Sequence, residues 1–291
     1  MLSRRRIVSF LMLPLALHAC EKSSRVAGSG RHAAAGSDSA VSVSSGIRDY
    51  TIGAKDYAFT NLPLHAPAGW LTFRLTNTGQ ETHMLSIASV PEGYTTSAFI
   101  DSLVHQRLPA ETKFWPGVDV VSRGDTGVVT SYLPAGKYVA ACFVQSADGS
   151  RHVQRGMVGS FDVVPSTDTG TAGFVDGVVT LSHKHIRMNG PRLKPGVHTL
   201  RVASSNPAPQ DFQILKLRPG RSARDALAWF THRNTVAPAA EALGGVSSIY
   251  AGKQATMTVN LARGDYLLIF QLDGTDKHPA FAQLPLTIRG R

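Results

Sequence analysis

One stretch of this chain, Tyr138 to Val164 (YVAACFVQSADGSRHVQRGMVGSFDVV), contains three side chains able to hold a metal through nitrogen or sulfur: Cys142, His152 and Met157. A fourth, His83, stands on an earlier apolar run, ETHMLSIASV. Two imidazoles, one thiolate and one weak axial thioether make up the donor set of a blue-copper electron-transfer centre, in which ligands of intermediate preference let copper change oxidation state with little rearrangement. Taken singly, each residue has an ordinary explanation. His83 shares a face with Leu85 and Ile87 and reads alone as a satisfied core imidazole. A lone cysteine is usually a small buried hydrophobe. Met157 shares a face with Phe161 and Val163 and reads as core, and His152 reads as a loop residue. The chemistry lies in the combination, ordered His…Cys-x9-His-x4-Met: one donor from an early strand and three from the loop joining two late strands.

The elements that must position these donors are strands. Leu71, Phe73 and Leu75 alternate with Thr72, Arg74 and Thr76, and a similar alternation runs through residues 128–133. Runs of this period, separated by Gly, Pro and Asn turns, predict antiparallel strands in a sandwich or barrel. One helix interrupts them: Thr96 to Gln106 puts Phe99, Ile100, Leu103 and Val104 on one face, and Ser222 to Phe230 repeats the pattern. That repetition is general. Gly69 and Gly196, Asn77 and Asn206, and Tyr138 and Tyr266 open or close matching segments at nearly constant separation, the mark of a duplicated unit. The expected fold is all-β: two tandem Greek-key β-sandwiches, each with one short helix. In the second copy Phe212 and Phe270 stand where His83 and Cys142 stand in the first, so that copy should keep the fold without the donors. His278 falls near the position of the second loop donor but has no partners there.

At these residues the sequence resembles the cupredoxin family, and in particular bacterial cupredoxin-like proteins with NxGxxxH, LPEG and CFxxxxDGxxHxxxGM signatures. Here they read Asn77-Thr-Gly79-Gln-Glu-Thr-His83, Val90-Pro-Glu-Gly93, and Cys142-Phe-x4-Asp148-Gly149-x2-His152-x3-Gly156-Met157. The resemblance covers residues 50–164, and residues 174–289 as fold only. It implies one copper ion per chain, with His83, Cys142 and His152 as trigonal ligands and Met157 as the axial one. It also implies that His152 sits at the exposed end of the site, where the electron leaves. The chain departs from the family in two places. The loop from Cys142 to His152 is long, with Asp148-Gly149 as a turn that would fold it back. Met84 follows His83 where many members carry an asparagine that ties the ligand loops together.

The ends of the chain speak to its address. Arg4, Arg5 and Arg6 precede a thirteen-residue apolar run, Ile7 to Ala19, which is too short to span a bilayer comfortably and suits a signal peptide. It ends in Leu17-His18-Ala19-Cys20, which resembles the bacterial lipobox, whose cysteine is diacylated and becomes the mature N-terminus. Two acyl chains anchor stably where one is marginal. With Glu21 next, rather than an aspartate, an outer-membrane address facing the periplasm is favoured. Loss of residues 1–19 lowers the formal charge from +10 to +7. In an exported compartment this basicity points away from nucleic acid, and towards anionic lipid or a redox partner protein with an acidic docking face that meets Arg151 and Arg155. With Cys20 acylated, Cys142 is the one cysteine left, so no disulfide forms within the chain.

The expected organisation is therefore a lipoprotein signal peptide (1–19), a Ser/Gly/Ala-rich flexible tether (20–47), a copper-binding domain (48–164), a linker (165–173), and a second domain without copper ligands (174–291). The expected function is a membrane-anchored electron carrier with one type-1 copper and no catalytic turnover of its own. Three alternatives stand beside it: copper storage or delivery, a copper oxidoreductase related to nitrite reductase, and a metal-free interaction module. The oxidoreductase would need a second copper, for which His183, His185 and His232 are the candidate donors. His183 and His185 are expected on one strand face.

Overall fold

The computed structural model describes residues 48–232, 236–272 and 280–290. The expected signal peptide, acylated Cys20 and tether, and His278, lie outside the described residues. Among those described, no helix is long and apolar enough to cross a membrane.

The first half folds as β1 (Asp49–Lys55), β2 (Ala58–Thr60), β3 (His65–Pro67), β4 (Gly69–Asn77), β5 (His83–Ser89), α1 (Thr96–Val104), β6 (Lys113–Val121), β7 (Thr126–Leu133), β8 (Gly136–Ala141) and β9 (Val158–Val164). The second half folds as β10 (Gly177–Ser182), β11 (His185–Asn189), β12 (Gly196–Ser204), β13 (Gln210–Leu217), α2 (Ala223–Thr231), β14 (Ala240–Ile249), β15 (Gln254–Leu261), β16 (Gly264–Gln271) and β17 (Phe281–Ile288). The architecture is the expected all-β sandwich. The alternation in β4 does what it predicts, burying Gly69, Leu71, Phe73, Leu75 and Asn77 and leaving the intervening residues half-buried.

The sandwiches of the two halves join edge to edge. One sheet runs β11-β10-β12-β15-β7-β4-β1-β2 and the other β17-β16-β13-β14-β6-β5-β8-β9-β3, each crossing from one half into the other. The crossings are β15 against β7 and β14 against β6, both antiparallel. Equivalent strands meet at each crossing, and Val129 pairs with Met257 as Val118 pairs with Val246. These are repeat-equivalent positions, so the two halves join about a pseudo-two-fold axis, as a symmetric dimer would. Pairing removes four sheet edges that would otherwise be exposed.

The duplication is visible in the ladders. Asp49 pairs in parallel with Thr72, and Gly177 with Leu200, each partner shifted by the same number of positions. Tyr138 and Tyr266 each turn a hydroxyl back to the carbonyl four residues earlier, Pro134 at 2.7 Å and Ala262 at 2.9 Å. Both helices start on hydroxyl caps, Thr95 and Ser222, which satisfy backbone donors that the first turn leaves open.

Two local expectations change. β5 is buried on both faces over most of its length, because Ala88, Phe99, Leu103, Val139, Ala141 and Val153 form a second small core on its other side. Alternation alone therefore did not fix the side on which His83 lies. Residues 165–173 have no regular structure but are not loose: Trp70 donates to the Thr169 carbonyl at 2.7 Å, and a Cβ on Gly69 would run into the Thr169 backbone.

Candidate metal centre

His83 opens β5 and reaches the site through the loop after β4. Asn77 organises that loop: its Nδ2 donates to the carbonyls of Glu81 (2.8 Å) and Val121 (2.9 Å), and its Oδ1 accepts from the Gly79 amide (2.9 Å). Gly79 is required by crowding, since a Cβ there would lie 2.6 Å from His83 Nε2 and closer still to the Asp56 carboxylate. The NxGxxxH pattern thus has a local mechanical basis.

Cys142 follows β8. Its amide donates to the Met157 carbonyl (3.1 Å), and its carbonyl accepts from the Val153 amide (2.8 Å). The long loop folds back as Asp148-Gly149 suggests. Gly149 takes a positive φ of 86°, its amide donates to the Ser146 carbonyl, and Asp148 Oδ1 accepts from the Ser150 amide at 3.0 Å. The return brings His152, at the start of a short 3-10 turn, beneath the strand ends, where its amide donates to the Val144 carbonyl. Met157 follows immediately, fully buried, with its amide on the His152 carbonyl at 3.0 Å.

The outcome is a compact cluster. His83 Nδ1 and His152 Nδ1 stand 3.0 Å apart, Cys142 Sγ lies 3.3 Å from His152 Nδ1, and it lies 4.0 Å from His83 Nδ1. A point equidistant from these three atoms is about 2.0 Å from each, the length of a metal–imidazole bond and slightly less than that of a metal–thiolate bond. The outer nitrogens explain why the inner ones converge. His83 Nε2 meets Asp56 Oδ1 at 2.6 Å, and His152 Nε2 meets Glu81 Oε2 at 2.8 Å. With each Nε2–H donated to a carboxylate, both Nδ1 lone pairs point into the same space. Two lone pairs 3.0 Å apart repel unless a proton or a cation lies between them, so the donor set fits a metal. The Met84 amide donates to Cys142 Sγ at 3.4 Å, a bond that suits a thiolate. The tie across the loops that the family resemblance places on an asparagine after His83 is supplied here by this amide.

Electrostatics favour neutral imidazoles. Burial lowers the pKa of His83, and the neighbouring His152 adds to this against the pull of Asp56; burial likewise lowers His152 against the pull of Glu81. For Asp56, burial works upward but is outweighed by the Gln80 and Glu81 amides and by His83, so its carboxyl sits below the usual carboxylate range.

The exposed position expected for His152 is not found: the residue is fully buried. The Tyr57 ring packs edge-on against it with centroids 4.9 Å apart, and the Arg155 guanidinium lies over Tyr57 at 4.5 Å. Glu81 ties the cover together, accepting from Tyr57 Oη (3.0 Å) and Ser146 Oγ (2.9 Å). Arg155 is also engaged by Asp148 and Ser150. Sequence reading did not single out Asp56, Glu81, Tyr57 or Ser146. Glu81 lies inside the NxGxxxH segment and had that much signal, whereas Asp56 is 27 residues from His83 and had none.

His83, Cys142 and His152 form the one group of three or more candidate ligands within reach of one another among the described residues. His183, His185 and His232 are not gathered. Ser182 pairs with His185 across the β10–β11 hairpin, so His183 sits in the tight turn with φ 49° and not on a strand face, and His232 caps the end of α2. At the equivalent place in the second half, Phe212 and Phe270 face each other across β13 and β16, both fully buried.

No family model and no curated protein matches this chain. Among solved structures, reduced auracyanin from Roseiflexus castenholzii is 21% identical over 41% of this chain and 100% of its own, with a TM-score of 0.32. Auracyanin A, a "blue" copper protein from Chloroflexus aurantiacus, is 22% identical over 41% and 100%, with a TM-score of 0.31. A copper-containing nitrite reductase from Thermus scotoductus is 14% identical over 84% of this chain and 62% of its own, with a TM-score of 0.25.

Proposed function

We propose that this protein is a copper-binding electron carrier of the bacterial cell envelope, tethered through a diacylated Cys20. It holds one copper with His83, Cys142 and His152 as trigonal ligands and Met157 as the axial one. The observation that carries this reading is the convergence of two Nδ1 atoms and one Sγ around a single point at bonding distance, inside a fully buried pocket. Copper, when bound, would supply a one-electron couple. The chain's own groups do the rest. Asp56 and Glu81 fix the tautomer and orientation of the imidazoles, the Met84 amide stabilises thiolate charge, and the buried β-sandwich end excludes water. A preformed donor set of this kind changes little when the metal's charge changes, which keeps electron transfer fast.

Because His152 is covered, a redox partner would dock over Tyr57 and Arg155 rather than against the imidazole edge. The reading is tested by titrating cupric ion into a form of the chain lacking residues 1–20, beside Cys142→Ser. An intense visible thiolate-to-copper band saturating at one equivalent and absent in the variant is expected. A colourless protein, or binding that the substitution does not change, would overturn it. For the anchor, Cys20→Ser should move the protein from the membrane fraction to the soluble periplasmic fraction.

A further inference from the structure

The second half carries its charge unevenly. From Gly177 to Gln210 the chain has five basic residues, Lys184, Arg187, Arg192, Lys194 and Arg201, and no Asp or Glu. This segment builds β10, β11 and β12, one end of the eight-stranded sheet. Other basic side chains have acidic matches: Arg48 pairs with Asp168, Arg74 with Asp49 and Lys216 with Glu241. None of the five has one among the described residues. The acid just before them, Asp176, is held by the Thr199 amide at 2.7 Å.

The register sets which side chains share a face. Arg201 is the partner of Val178 and of Thr256, and Arg187 is the partner of Thr180. Both therefore stand on the side of the sheet opposite the buried Val179, Leu181, Val202 and Met257. Val197, four residues before Arg201, stands on that outer side too and is 66% exposed. The segment joining the two halves crosses the same face. Thr256 points outward yet is 3% exposed, with its Oγ1 3.5 Å from the Ala172 carbonyl. Two residues further on, Phe174 is 86% exposed. Thr256 also pairs with Thr130 of the first half, and two residues along, the exposed Tyr132 meets Trp70 edge to face at 5.9 Å.

Uncovered apolar rings amid unmatched lysines and arginines suit anionic lipid, whose headgroups attract the cations while aromatic rings settle at headgroup depth. The course of the chain favours the same occupant. The run that leads back to Cys20 enters the fold at Arg48. Arg48 donates to the Ala68 carbonyl (3.2 Å) and holds the start of the crossing segment through Ser166 Oγ (3.4 Å) and Asp168. An acyl chain on Cys20 would thus be joined to the body beside the segment that bears Phe174.

We propose that the outer face over β10–β12 and the crossing segment is a docking surface for an anionic phospholipid bilayer. Phe174 and Val197 enter the headgroup layer, and the five basic side chains meet phosphates. β11 and β2 are opposite edges of this sheet. Docking in this way leaves the Tyr57 cover, in the turn between β1 and β2, at the far edge and open to a redox partner. The orientation rests on the envelope reading above for the presence of a bilayer, but its affinity does not rest on acylation.

The test uses copper-free protein lacking residues 1–20, so that neither an acyl anchor nor the metal contributes. The protein is floated with vesicles of phosphatidylcholine mixed with phosphatidylglycerol, and with vesicles of phosphatidylcholine alone. Binding to the mixed vesicles only is expected, weakening as salt is raised. Phe174→Ser should weaken it about tenfold. Arg187→Gln combined with Lys194→Gln should weaken it about 25-fold, at about fivefold per charge. Arg107→Gln combined with Lys137→Gln removes the same charge from exposed positions outside this sheet and should stay within about twofold of the wild type. Every replaced side chain is exposed, so melting temperatures should not move. No binding to the mixed vesicles, equal binding to both compositions, or affinity unchanged by Phe174→Ser would each overturn the proposal. A loss from the Arg107 and Lys137 pair as large as that from the Arg187 and Lys194 pair would also overturn it, by reducing the effect to net charge.

Discussion

Replacing Glu81 by glutamine should raise the reduction potential of the copper centre. The amide can keep the cover's shape. Its oxygen can still accept from His152 Nε2 and Ser146 Oγ, while its nitrogen turns to Tyr57 Oη, which can accept; the distances now are 2.8, 2.9 and 3.0 Å. What disappears is one negative charge, held across the imidazole ring from the donor atom. Adding the ring and a metal–nitrogen bond to that contact places the carboxylate about 6.5 Å from a metal at Nδ1. At an effective dielectric constant of about 20, one unit charge at that distance contributes about 2.6 kcal/mol. The cupric and cuprous forms differ by one charge, so for a one-electron couple this is about 110 mV. The Glu81 side chain is 23% exposed, and solvent and salt reduce the figure to about 50–100 mV. The sign is upward, because the lost anion favoured the more positive cupric form. Cupric affinity should fall by about 10–100-fold. The assay is a spectroelectrochemical titration of the visible band in the wild type and Glu81→Gln. A potential that stays in place or falls, with the band intact, would refute the reasoning and leave Glu81 a purely structural cover.

Gly79→Ala should destabilise the protein by about 1–3 kcal/mol and weaken copper binding, because its Cβ would collide with the Asp56–His83 contact; thermal melts and a metal competition assay read both. Copper-free protein should lose stability as pH falls below about 6.5. Burial lowers His83 and His152 in the folded state, so the unfolded chain binds protons first and acid favours unfolding; urea midpoints measured above and below that pH check the sign. Phe212→Leu in the donor-free half should cost about 1–2 kcal/mol and leave the visible band unchanged. A changed band would mean that the second half helps set the donor geometry.

The three residues that the structure gathers were legible in the sequence because Cys142 and His152 lie on one loop, where residue type and spacing are local facts. His83 lies on a strand whose motif, Asn77 to His83, is itself a local hydrogen-bonded unit. The strands were legible for the same reason, since alternation in β4 reports the burial of its own side chains. The duplication was legible because repeated turns keep their spacing. Tertiary structure decided the rest. Asp56 reaches His83 only because β1 pairs in parallel with β4. His152 is buried because Tyr57 and Glu81 close over it from other segments. His183 left the strand face because the β10–β11 register put the turn there. The two halves share their sheets because equivalent strands pair about a pseudo-two-fold axis. Residue chemistry and period are written along the chain, whereas the covering of a donor and the pairing of sheet edges depend on residues distant in sequence, and folding alone brings these together.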